Sequence, residues 1–265
     1  MKPSAAAANV HATAIVDPGA KVPASCRIGP YCVVGPEVDL GEDNELVAHV
    51  VINGSTKIGS SNRIFPFVSL GMEPQDLKFK GEKTRLEIGD HNQLRECVTI
   101  HRGTPGGGGL TKLGSYCLLM AYSHIAHDCF VGDHVIMANN ATLAGHVIIE
   151  EWATVGAFSP VHQFTRVGAH AYIGGGTVVT KDVLPFSKTV ASREARAYGA
   201  NSIGLERRGF SKERVRQIQK AFKTLLNSRL NTSQALEKIK AEGELGEDVR
   251  QLVSFIEDSK RGVIK

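Results

Sequence analysis

An aliphatic residue recurs at every sixth position along most of this 265-residue chain, and no other feature constrains the fold so strongly. The first run consists of Val10, Val16, Val22, Ile28, Val34, Leu40, Leu46, Ile52, Ile58, Ile64 and Leu70, and it resumes at Ile88, Leu94 and Ile100. A second run, one residue out of step, consists of Leu113, Leu119, Ile125, Val131, Met137, Leu143, Ile149, Val155, Val161, Val167, Ile173 and Val179. A helix has no such period, whereas a hexapeptide repeat is typical of a parallel β-helix. Three hexads predict one triangular coil of about 18 residues.

The residue four positions after each aliphatic forms a second regular position, because it is small or β-branched almost throughout. Asn44 and Asn62 are the exceptions. Glycine often follows the aliphatic residue, as expected where the backbone bends tightly. We therefore expect large aliphatics along the axis, small residues at the corners, and coils stacked about 4.8 Å apart. An ordinary sandwich of short strands needs turn signals about every 8–12 residues and gives no reason for a period of six.

Cysteine usage and the N-terminal sequence indicate the cellular compartment of the protein. The five cysteines form no CxxC pair, which argues for a reducing compartment and against a zinc knuckle. Four of them, Cys26, Cys32, Cys117 and Cys129, occupy the small corner position, so packing explains them. Lys2 is followed by no apolar run, so we expect no signal peptide, and no segment reads as an integral membrane span. These features predict a cytoplasmic protein.

The hexad rhythm ends near Leu184, and helical periodicity follows it. We therefore predict an all-β domain over residues 1–190, folded as a parallel β-helix, and a small α-helical C-terminal domain over residues 191–265.

The C-terminal part combines helix signals with an excess of basic residues. Ser211 and either Asn231 or Thr232 are candidate N-caps. From Arg193 onward the chain carries 16 Lys and Arg against 10 Asp and Glu, whereas the first 192 residues carry 15 against 17. This excess indicates either a solvated surface or a docking face for an acidic partner. Nothing in the chain resembles a nucleic-acid-binding module.

Two segments interrupt the hexads: residues 72–87 (MEPQDLKFKGEKTRLE) and residues 101–112 (HRGTPGGGGLTK). Loops that leave a rigid scaffold commonly carry function. The glycine run of the second segment lacks the Lys-Ser/Thr and the helix of a phosphate-binding loop, so we predict a flexible flap there.

Seven of the ten histidines lie in the second half of the predicted β-helix. They are His101, His124, His127, His134, His146, His162 and His170. A single surface histidine is more often structural than functional. The 18-residue coil, however, brings His124, His146 and His162 close to His127, which predicts a cluster of imidazoles.

The same arithmetic places His127 beneath Gly145, and Gly145 beneath Gln163. Asp128 follows His127 directly and is able to fix its tautomer. A neutral imidazole beside an unhindered amide N–H is a general base beside an oxyanion site. Acyl transfer requires this combination.

Several strings in the chain resemble one family of enzymes over essentially the whole length. They are QDLKF (75–79), VTIHRGT (98–104), GGLTKLGS (108–115), HIAHDC (124–129), ANNATLAGHV (138–147), VHQF (161–164) and LERRGF (205–210). These strings resemble the UDP-N-acetylglucosamine O-acyltransferases that begin lipid A biosynthesis. The resemblance implies a left-handed β-helix and a homotrimer; the hexads themselves gave neither handedness nor oligomeric state.

The resemblance also implies roles for individual residues. His127 matches the general base, Asp128 the residue that orients it, and Gly145 the amide that stabilises the oxyanion. The substrate-lining positions of the family correspond to Lys78, His101, His124, His146, His162 and Gln163, with Gln75 and Asp76 near the sugar. The nucleotide-holding positions correspond to Asn201 and Arg207, with Arg208 close by.

The implied reaction moves a fatty acyl group, expected to be 3-hydroxylated, from acyl carrier protein to the glucosamine 3-hydroxyl of UDP-N-acetylglucosamine. No metal and no separate cofactor are expected, because the donor is carried on the phosphopantetheine of the carrier protein. The basic C-terminal domain suits the acidic carrier protein and the diphosphate.

Acyl length and the identity of the sugar, glucosamine or its 3-amino analogue, stay open. The chain departs from the family at AYSH (121–124) and at SREAR (192–196), near the implied acyl groove. In the family, the position of Gly175 acts as a ruler that a bulky side chain closes. The sequence Gly174-Gly175-Gly176 leaves it open, which predicts a long acyl chain.

Three other functions are alternatives for a chain with these repeats. A γ-type carbonic anhydrase would bind zinc through three histidines such as His124, His127 and His146, but it has no use for a basic helical domain. The related N-acyltransferase carries an extra N-terminal uridine-binding domain, for which hexads that begin at Val10 leave no room. A non-enzymatic scaffold would not need clustered histidines.

Overall fold

The computed structural model describes residues 9–190, 197, 199–227, 229–259 and 263. The chain divides into two compact units, Met1–Ala191 and Ser192–Lys265. The SREAR segment, which the sequence places near the acyl groove, lies outside the described residues.

The first unit is a parallel β-helix whose short strands form three sheets, here called A, B and C. Sheet A contains Asn9–Val10, Arg27–Ile28, Glu45–Leu46, Arg63–Ile64, Gln93–Leu94, Leu118–Leu119, Ile136–Met137, Thr154–Val155, Tyr172–Ile173 and Lys188–Thr189. Sheet B contains Ile15–Val16, Val33–Val34, Val51–Ile52, Ser69–Met72, Thr99–His101, His124–Ile125, Thr142–Leu143 and Pro160–Val161. Sheet C contains Val38–Leu40, Ser55–Ile58, Arg85–Ile88, Leu110–Leu113, Phe130–Val131, Ile148–Ile149 and Arg166–Val167. The last strand of sheet A lies beyond Leu184, so the coil continues after the hexad rhythm has ended.

Strand register follows the repeat. Phe130 pairs with Ile148, 18 residues later, in parallel. Where the two excursions intervene the separation grows, as between Leu70 and Ile100, but the alignment of aliphatic with aliphatic is kept. The aliphatic column is buried along the axis, and the small corner residues are buried as well. Each fully buried Ile or Leu contributes about 1.5–3 kcal/mol relative to an exposed one.

Asn44 and Asn62, which break the small-residue pattern, form a buried ladder together with Asn92. Asn62 donates from its backbone and side chain to Asn44 Oδ1, at 2.9 and 3.0 Å. Asn92 donates its backbone N–H to Asn62 Oδ1 at 2.8 Å, and Cys117 donates to Asn92 Oδ1 at 2.7 Å. Because buried amides must be hydrogen-bonded, this ladder explains how asparagine is tolerated in a corner position.

The corners of the coil hold non-glycine residues with positive φ. Corner CA, where the chain passes from sheet C to sheet A, carries a stack of rings: His91, Tyr116, His134, Trp152, His170 and Phe186. Corner BC carries Asp128, His146 and Phe164, and corner AB carries Tyr31, His49, Phe67, Cys97, Tyr122, Asn140 and Phe158. A left-handed residue costs roughly 1–2 kcal/mol, and stacking between successive coils offsets part of that cost.

The two excursions leave the coil at different places. The first occupies residues 73–84, between the strands Ser69–Met72 and Arg85–Ile88. The second contains a 3₁₀ turn, Pro105–Gly107, whose N-cap Thr104 accepts a hydrogen bond from the Gly107 N–H. The segment predicted to be a flexible flap thus contains a hydrogen-bonded turn, in which the Gly107 and Gly109 N–H groups donate to the Thr104 carbonyl.

Within its described residues, the second unit contains four helices: α1 (Ser202–Arg207), α2 (Lys212–Leu225), α3 (Thr232–Ala241) and α4 (Glu247–Glu257). The caps match the predicted candidates, because Ser211 accepts from the Arg214 N–H and Asn231 forms a capping box with Gln234. Their buried face comprises Ala221, Leu225, Ala235, Leu236, Ile239, Val249, Val253 and Ile256. No helix in the described part of the chain is both long and apolar enough to cross a bilayer.

Candidate active site

An imidazole and a carboxylate meet at corner BC. His127 Nδ1 lies 2.7 Å from Asp128 Oδ2. The Asp128 side chain is completely buried, whereas the His127 side chain is 17% exposed. Asp128 has the positive φ of 60° that turns its side chain inward, while His127 precedes it at the edge of the turn. A carboxylate that accepts from Nδ1 leaves Nε2 free to act as a base.

The second excursion closes over the Asp128 carboxylate. The Thr104 N–H donates to Oδ1 at 2.8 Å, and the Thr104 hydroxyl donates to Oδ2 at 2.6 Å. Gly107 packs on the same group so closely that a Cβ there would lie 2.0 Å from Asp128 Cγ. The Asp128 N–H donates to Thr111 Oγ1 at 2.8 Å. The glycine of this turn is therefore required by close packing against a carboxylate.

Gly145 lies directly against the His127 ring, one coil further along. A Cβ on Gly145 would lie 2.6 Å from His127 Cε1 and 2.8 Å from Nε2, so only glycine fits. In the described part of the chain the Gly145 N–H has no hydrogen-bond acceptor. The stacking of His127 beneath Gly145 that the repeat predicted is thus observed.

Further imidazoles surround the dyad. The His127 and His146 rings are 5.2 Å apart and nearly perpendicular, and His146 stacks on Phe164 at 4.6 Å. The His101 and His124 rings are 5.0 Å apart. His146 Nε2 lies 3.8 Å from Asp128 Oδ2, too far for a hydrogen bond.

Two of these imidazoles are held neutral. Burial, together with smaller contributions from the neighbouring His101 and His127, lowers the pKa of His124 to about 4. Burial also lowers the pKa of His101, assisted by His127 and Arg102. His124 Nδ1 lies 2.7 Å from Thr99 Oγ1. Neutral imidazoles keep positive charge away from the position where His127 must gain a proton.

The first excursion lines a cavity of 480 Å³ beside His101. Arg102, only 13% exposed, joins this excursion to the coil. Its guanidinium donates to the Gly71 carbonyl at 3.0 Å, lies 3.5 Å from Glu73 Oε1, and lies over the Phe79 ring at 5.2 Å. Arg102 therefore fixes the loop that presents the predicted sugar-binding residues.

The remaining predicted residues are distributed over several places. Gln75 and Lys78 are exposed on the first excursion, and the Asp76 carboxylate accepts from the Lys78 N–H at 2.9 Å. His162 and Gln163 are exposed at corner BC, where His162 Nδ1 lies 3.1 Å from the Gln163 carbonyl.

The other four predicted residues belong to corner AB and to the second unit. Gly175 lies at corner AB. Asn201 caps α1 by accepting from the Gly204 N–H at 3.2 Å; Arg207 is the last residue of that helix, and Arg208 is its C-cap. Within the first unit, the structure thus brings together the predicted residues of one coil edge and places Gly175 at another corner.

Thr104 and Arg102 were not singled out in the sequence. Both lie in the VTIHRGT string, so the resemblance contained them without distinguishing them from their neighbours. Their importance follows from contacts across an excursion, where counting by 18 no longer applies.

A metal site was one of the alternatives. Among the described residues, His127, Asp128 and His146 are near enough to share a metal ion, with ligand atoms within 4.8 Å of one another. This trio differs from the histidine trio of the carbonic anhydrase hypothesis, because His124 is not part of it. A metal here would have to displace the hydrogen bond between His127 and Asp128.

Comparison with known proteins agrees with the geometry. The family profile described as UDP N-acetylglucosamine O-acyltransferase, domain 2, matches residues 182–264, and the bacterial transferase hexapeptide profile matches residues 110–145. The acyl-[acyl-carrier-protein]–UDP-N-acetylglucosamine O-acyltransferases of Thermodesulfovibrio yellowstonii and Syntrophobacter fumaroxidans are each 47% identical over 97% of this chain and 99% of their own.

Solved structures show the same relationship. LpxA from Acinetobacter baumannii has a TM-score of 0.67 at 42% identity, covering 97% of this chain and all of its own. The Francisella novicida UDP-N-acetylglucosamine acyltransferase has a TM-score of 0.68 at 39% identity, covering 96% of this chain and 93% of its own. The predicted fold class, an all-β left-handed parallel β-helix followed by a small α-helical domain, is confirmed. The chain belongs to the UDP-N-acetylglucosamine O-acyltransferase family and is an acyltransferase.

Proposed function

We propose that this protein transfers a fatty acyl group from acyl carrier protein to the glucosamine 3-hydroxyl of UDP-N-acetylglucosamine, the first step of lipid A biosynthesis. One observation carries the chemistry: His127 Nδ1 is bound to a buried carboxylate, and the opposite side of the ring lies against Gly145, whose N–H has no acceptor among the described residues. A base and an amide donor thus lie side by side. The names of the 47% identical relatives support the substrates.

In the proposed mechanism, His127 Nε2 takes the proton of the sugar 3-hydroxyl as its oxygen attacks the thioester carbonyl. The carbonyl oxygen becomes an oxyanion, which the Gly145 N–H stabilises. Collapse of the intermediate forms the ester and breaks the carbon–sulfur bond. The His127 imidazolium then returns its proton to the departing thiolate. Asp128 keeps the proton on Nδ1 throughout and stabilises the imidazolium.

We propose substrate-binding roles for residues of the first unit and of the second unit. Gln75, Asp76 and Lys78 would contact the sugar, because Arg102 holds their loop beside the cavity at His101. Asn201, Arg207 and Arg208 would hold the nucleotide. His124, His146, His162 and Gln163 would line the reacting groups.

We further propose that the protein works as a cytoplasmic homotrimer. Gly175 lies at corner AB and His127 at corner BC, so the predicted acyl ruler and the base occupy different corners of one chain. A neighbouring copy that brings its own corner against this one would form a groove between them. The mass of the complex in solution, expected at three times 28.5 kDa, tests this arrangement.

The helical unit is the proposed dock for acyl carrier protein. Several of its basic side chains are already paired internally, including Arg214 with Asp248 and Lys220 with Glu242. Lys212, Lys223 and Lys238 are among the basic side chains of this unit that make no ion pair with any described residue, and we propose them as contacts for an acidic partner.

The direct test is an assay with purified protein, UDP-N-acetylglucosamine and acyl carrier proteins loaded with chains of different length, with and without a 3-hydroxyl. Mass spectrometry should show a UDP-sugar heavier by one acyl group, with a preference for the 3-hydroxylated donor. The 3-amino sugar serves as a parallel acceptor. Absence of acylated UDP-sugar with every donor would contradict the proposal, and stoichiometric zinc in the active protein would revive the hydrase alternative.

A further inference from the structure

The Asp128 carboxylate receives three hydrogen bonds, and two of them come from one residue. Thr104 donates its N–H to Oδ1 at 2.8 Å and its hydroxyl to Oδ2 at 2.6 Å, and His127 Nδ1 lies 2.7 Å from the same Oδ2. Thr104 is itself buried, and the Asp128 side chain has no exposed surface. A dry carboxylate of this kind depends on its protein donors, because no water replaces them.

The direction of the Thr104 hydroxyl proton follows from its second contact. The Gly107 N–H donates to Thr104 Oγ1 at 3.3 Å, so Oγ1 is an acceptor towards the 3₁₀ turn. Its own proton is then left for Asp128 Oδ2. The two Thr104 donors stabilise the ionised form of the Asp128 carboxylate, and an ionised Asp128 accepts the Nδ1 proton of His127.

We propose that Thr104 is a positioning residue for the general base, acting through Asp128, and that its hydroxyl sets the proton affinity of His127. This inference rests on the proposed function. Part of the carboxylate charge is taken up by the hydroxyl, so Asp128 attracts the imidazolium proton less strongly than an uncapped carboxylate would. His127 consequently stays neutral at lower pH, while its tautomer is fixed with Nε2 unprotonated and facing Gly145.

The groups that face His127 define what else affects its protonation. Asp128 is bonded to it, and the His146 ring lies 5.2 Å away. His101 and His124 interact with it electrostatically from sheet B. The same three histidines face His127 whether or not the Thr104 hydroxyl is present. A substitution at Thr104 therefore isolates the contribution of the Asp128 carboxylate to the protonation of His127.

The test compares Thr104→Val, which keeps the shape and removes the hydroxyl, with Thr104→Ser, which keeps the hydroxyl. In Thr104→Val, the acid limb of the kcat/KM profile should move up by about one pH unit, and the plateau should fall about tenfold. Thr104→Ser should restore both. Where the Thr104→Val variant does not fold, Thr104→Ala removes the hydroxyl with less bulk.

A second readout does not need turnover. Carbethoxylation by diethyl pyrocarbonate requires a neutral imidazole, and mass spectrometry of the His127 peptide gives its rate at each pH. The pH of half-maximal rate should move up in Thr104→Val by the same amount as the acid limb. Should the wild type acylate no UDP-sugar, the proposed function fails, and this measurement still decides the role of Thr104.

Thr111→Val is the matched control. Its hydroxyl accepts from the Asp128 backbone N–H and does not touch the carboxylate. This variant should melt at a lower temperature while the half-maximal pH stays in place. An equal shift in Thr111→Val, or a Thr104→Val protein that loses only thermal stability, overturns the inference and leaves Thr104 a structural residue.

Discussion

Corner BC and corner CA use the same two residue types in opposite order. Corner BC contains His127-Asp128, and corner CA contains Asp133-His134. In each pair the second residue has the positive φ of the turn. At corner BC the carboxylate is therefore turned inward and buried, and the imidazole beside it reaches Oδ2 at 2.7 Å. At corner CA the imidazole takes the turn and stacks at 5.0 Å from Tyr116 and 3.9 Å from Trp152.

The comparison indicates that a histidine on this β-helix can act as a base because of the residue next to it, and not because of its position in the coil. Asp133 is exposed, and its Oδ1 accepts from the Ser115 N–H at 2.7 Å, so it caps a turn and does not bind His134. His134 is held by ring stacking. His127 is held by a buried carboxylate and faces a glycine. The ring stack at corner CA thus stabilises the coil, and corner BC presents a base.

The largest expected effect separates the two corners directly. His127→Ala should lower kcat by about 10²–10⁴-fold, because it removes the general base, and should leave the melting temperature nearly unchanged. His134→Ala should retain the rate and melt at a lower temperature, because it interrupts the ring stack. Steady-state kinetics and calorimetry on both variants give the comparison. A near-normal rate in a well-folded His127→Ala protein would rule out its assignment as the base.

The second effect concerns pH and stability. The folded-state pKa of His124 is lowered to about 4, whereas an unfolded chain binds a proton near pH 6.5. As the pH falls from about 6.5 to about 4, His124 therefore becomes protonated in the unfolded state but not in the folded state. Stability should be complete above about pH 6.5 and should decrease by on the order of 2 kcal/mol by pH 5.

Urea unfolding at pH 7 and pH 5, at one protein concentration, measures this loss. His124→Gln should reduce the difference between the two pH values, and His11→Gln, at an exposed position, should not. An unchanged difference in His124→Gln would show that other groups carry the pH dependence.

The sequence predicted the regular parts of the molecule and missed those that leave the repeat. A fixed period converts directly into neighbours in space, so the stacking of His127 beneath Gly145 could be calculated. Thr104, Gly107 and Arg102 could not be found in that way, because an insertion of unknown path separates them from the residues they contact. The asparagine ladder could not be predicted from the individual positions, because its hydrogen bonds join asparagines of successive coils.

The third effect tests corner AB, the remaining corner. A Cβ on Gly175 would contact only Ala157, tightly at 3.2 Å from its carbonyl oxygen, so a shift of a few tenths of an ångström there would admit a side chain. Gly175→Met should therefore fold and should shift selectivity towards shorter donors. Each buried methylene is worth about 0.8 kcal/mol, so two excluded methylenes correspond to about 15-fold.

Competition between acyl carrier proteins of different chain length measures the ratio, and melting and mass of the complex control for damage. A wild type that prefers a short chain, or a variant that still prefers a long one, would show that Gly175 is not the ruler. The segment 192–196 would then be the next place to mutate.

The smallest effect tests whether the rings of corner CA stabilise the coil. Trp152→Ala removes contacts with His134 at 3.9 Å and with His170 at 6.1 Å. Aromatic pairs contribute about 0.5–1.5 kcal/mol beyond burial, so the free energy of unfolding should fall by about 1–2 kcal/mol while kcat and KM stay unchanged.

Phe158→Ala at corner AB is the matched control, because Phe158 is also exposed and left-handed but stacks on no ring among the described residues. Equal losses in the two variants would mean that the rings of corner CA act as isolated apolar groups. A larger loss for Trp152, and a nonzero coupling in the double-mutant cycle with His134→Ala, would show that the stack acts as a unit.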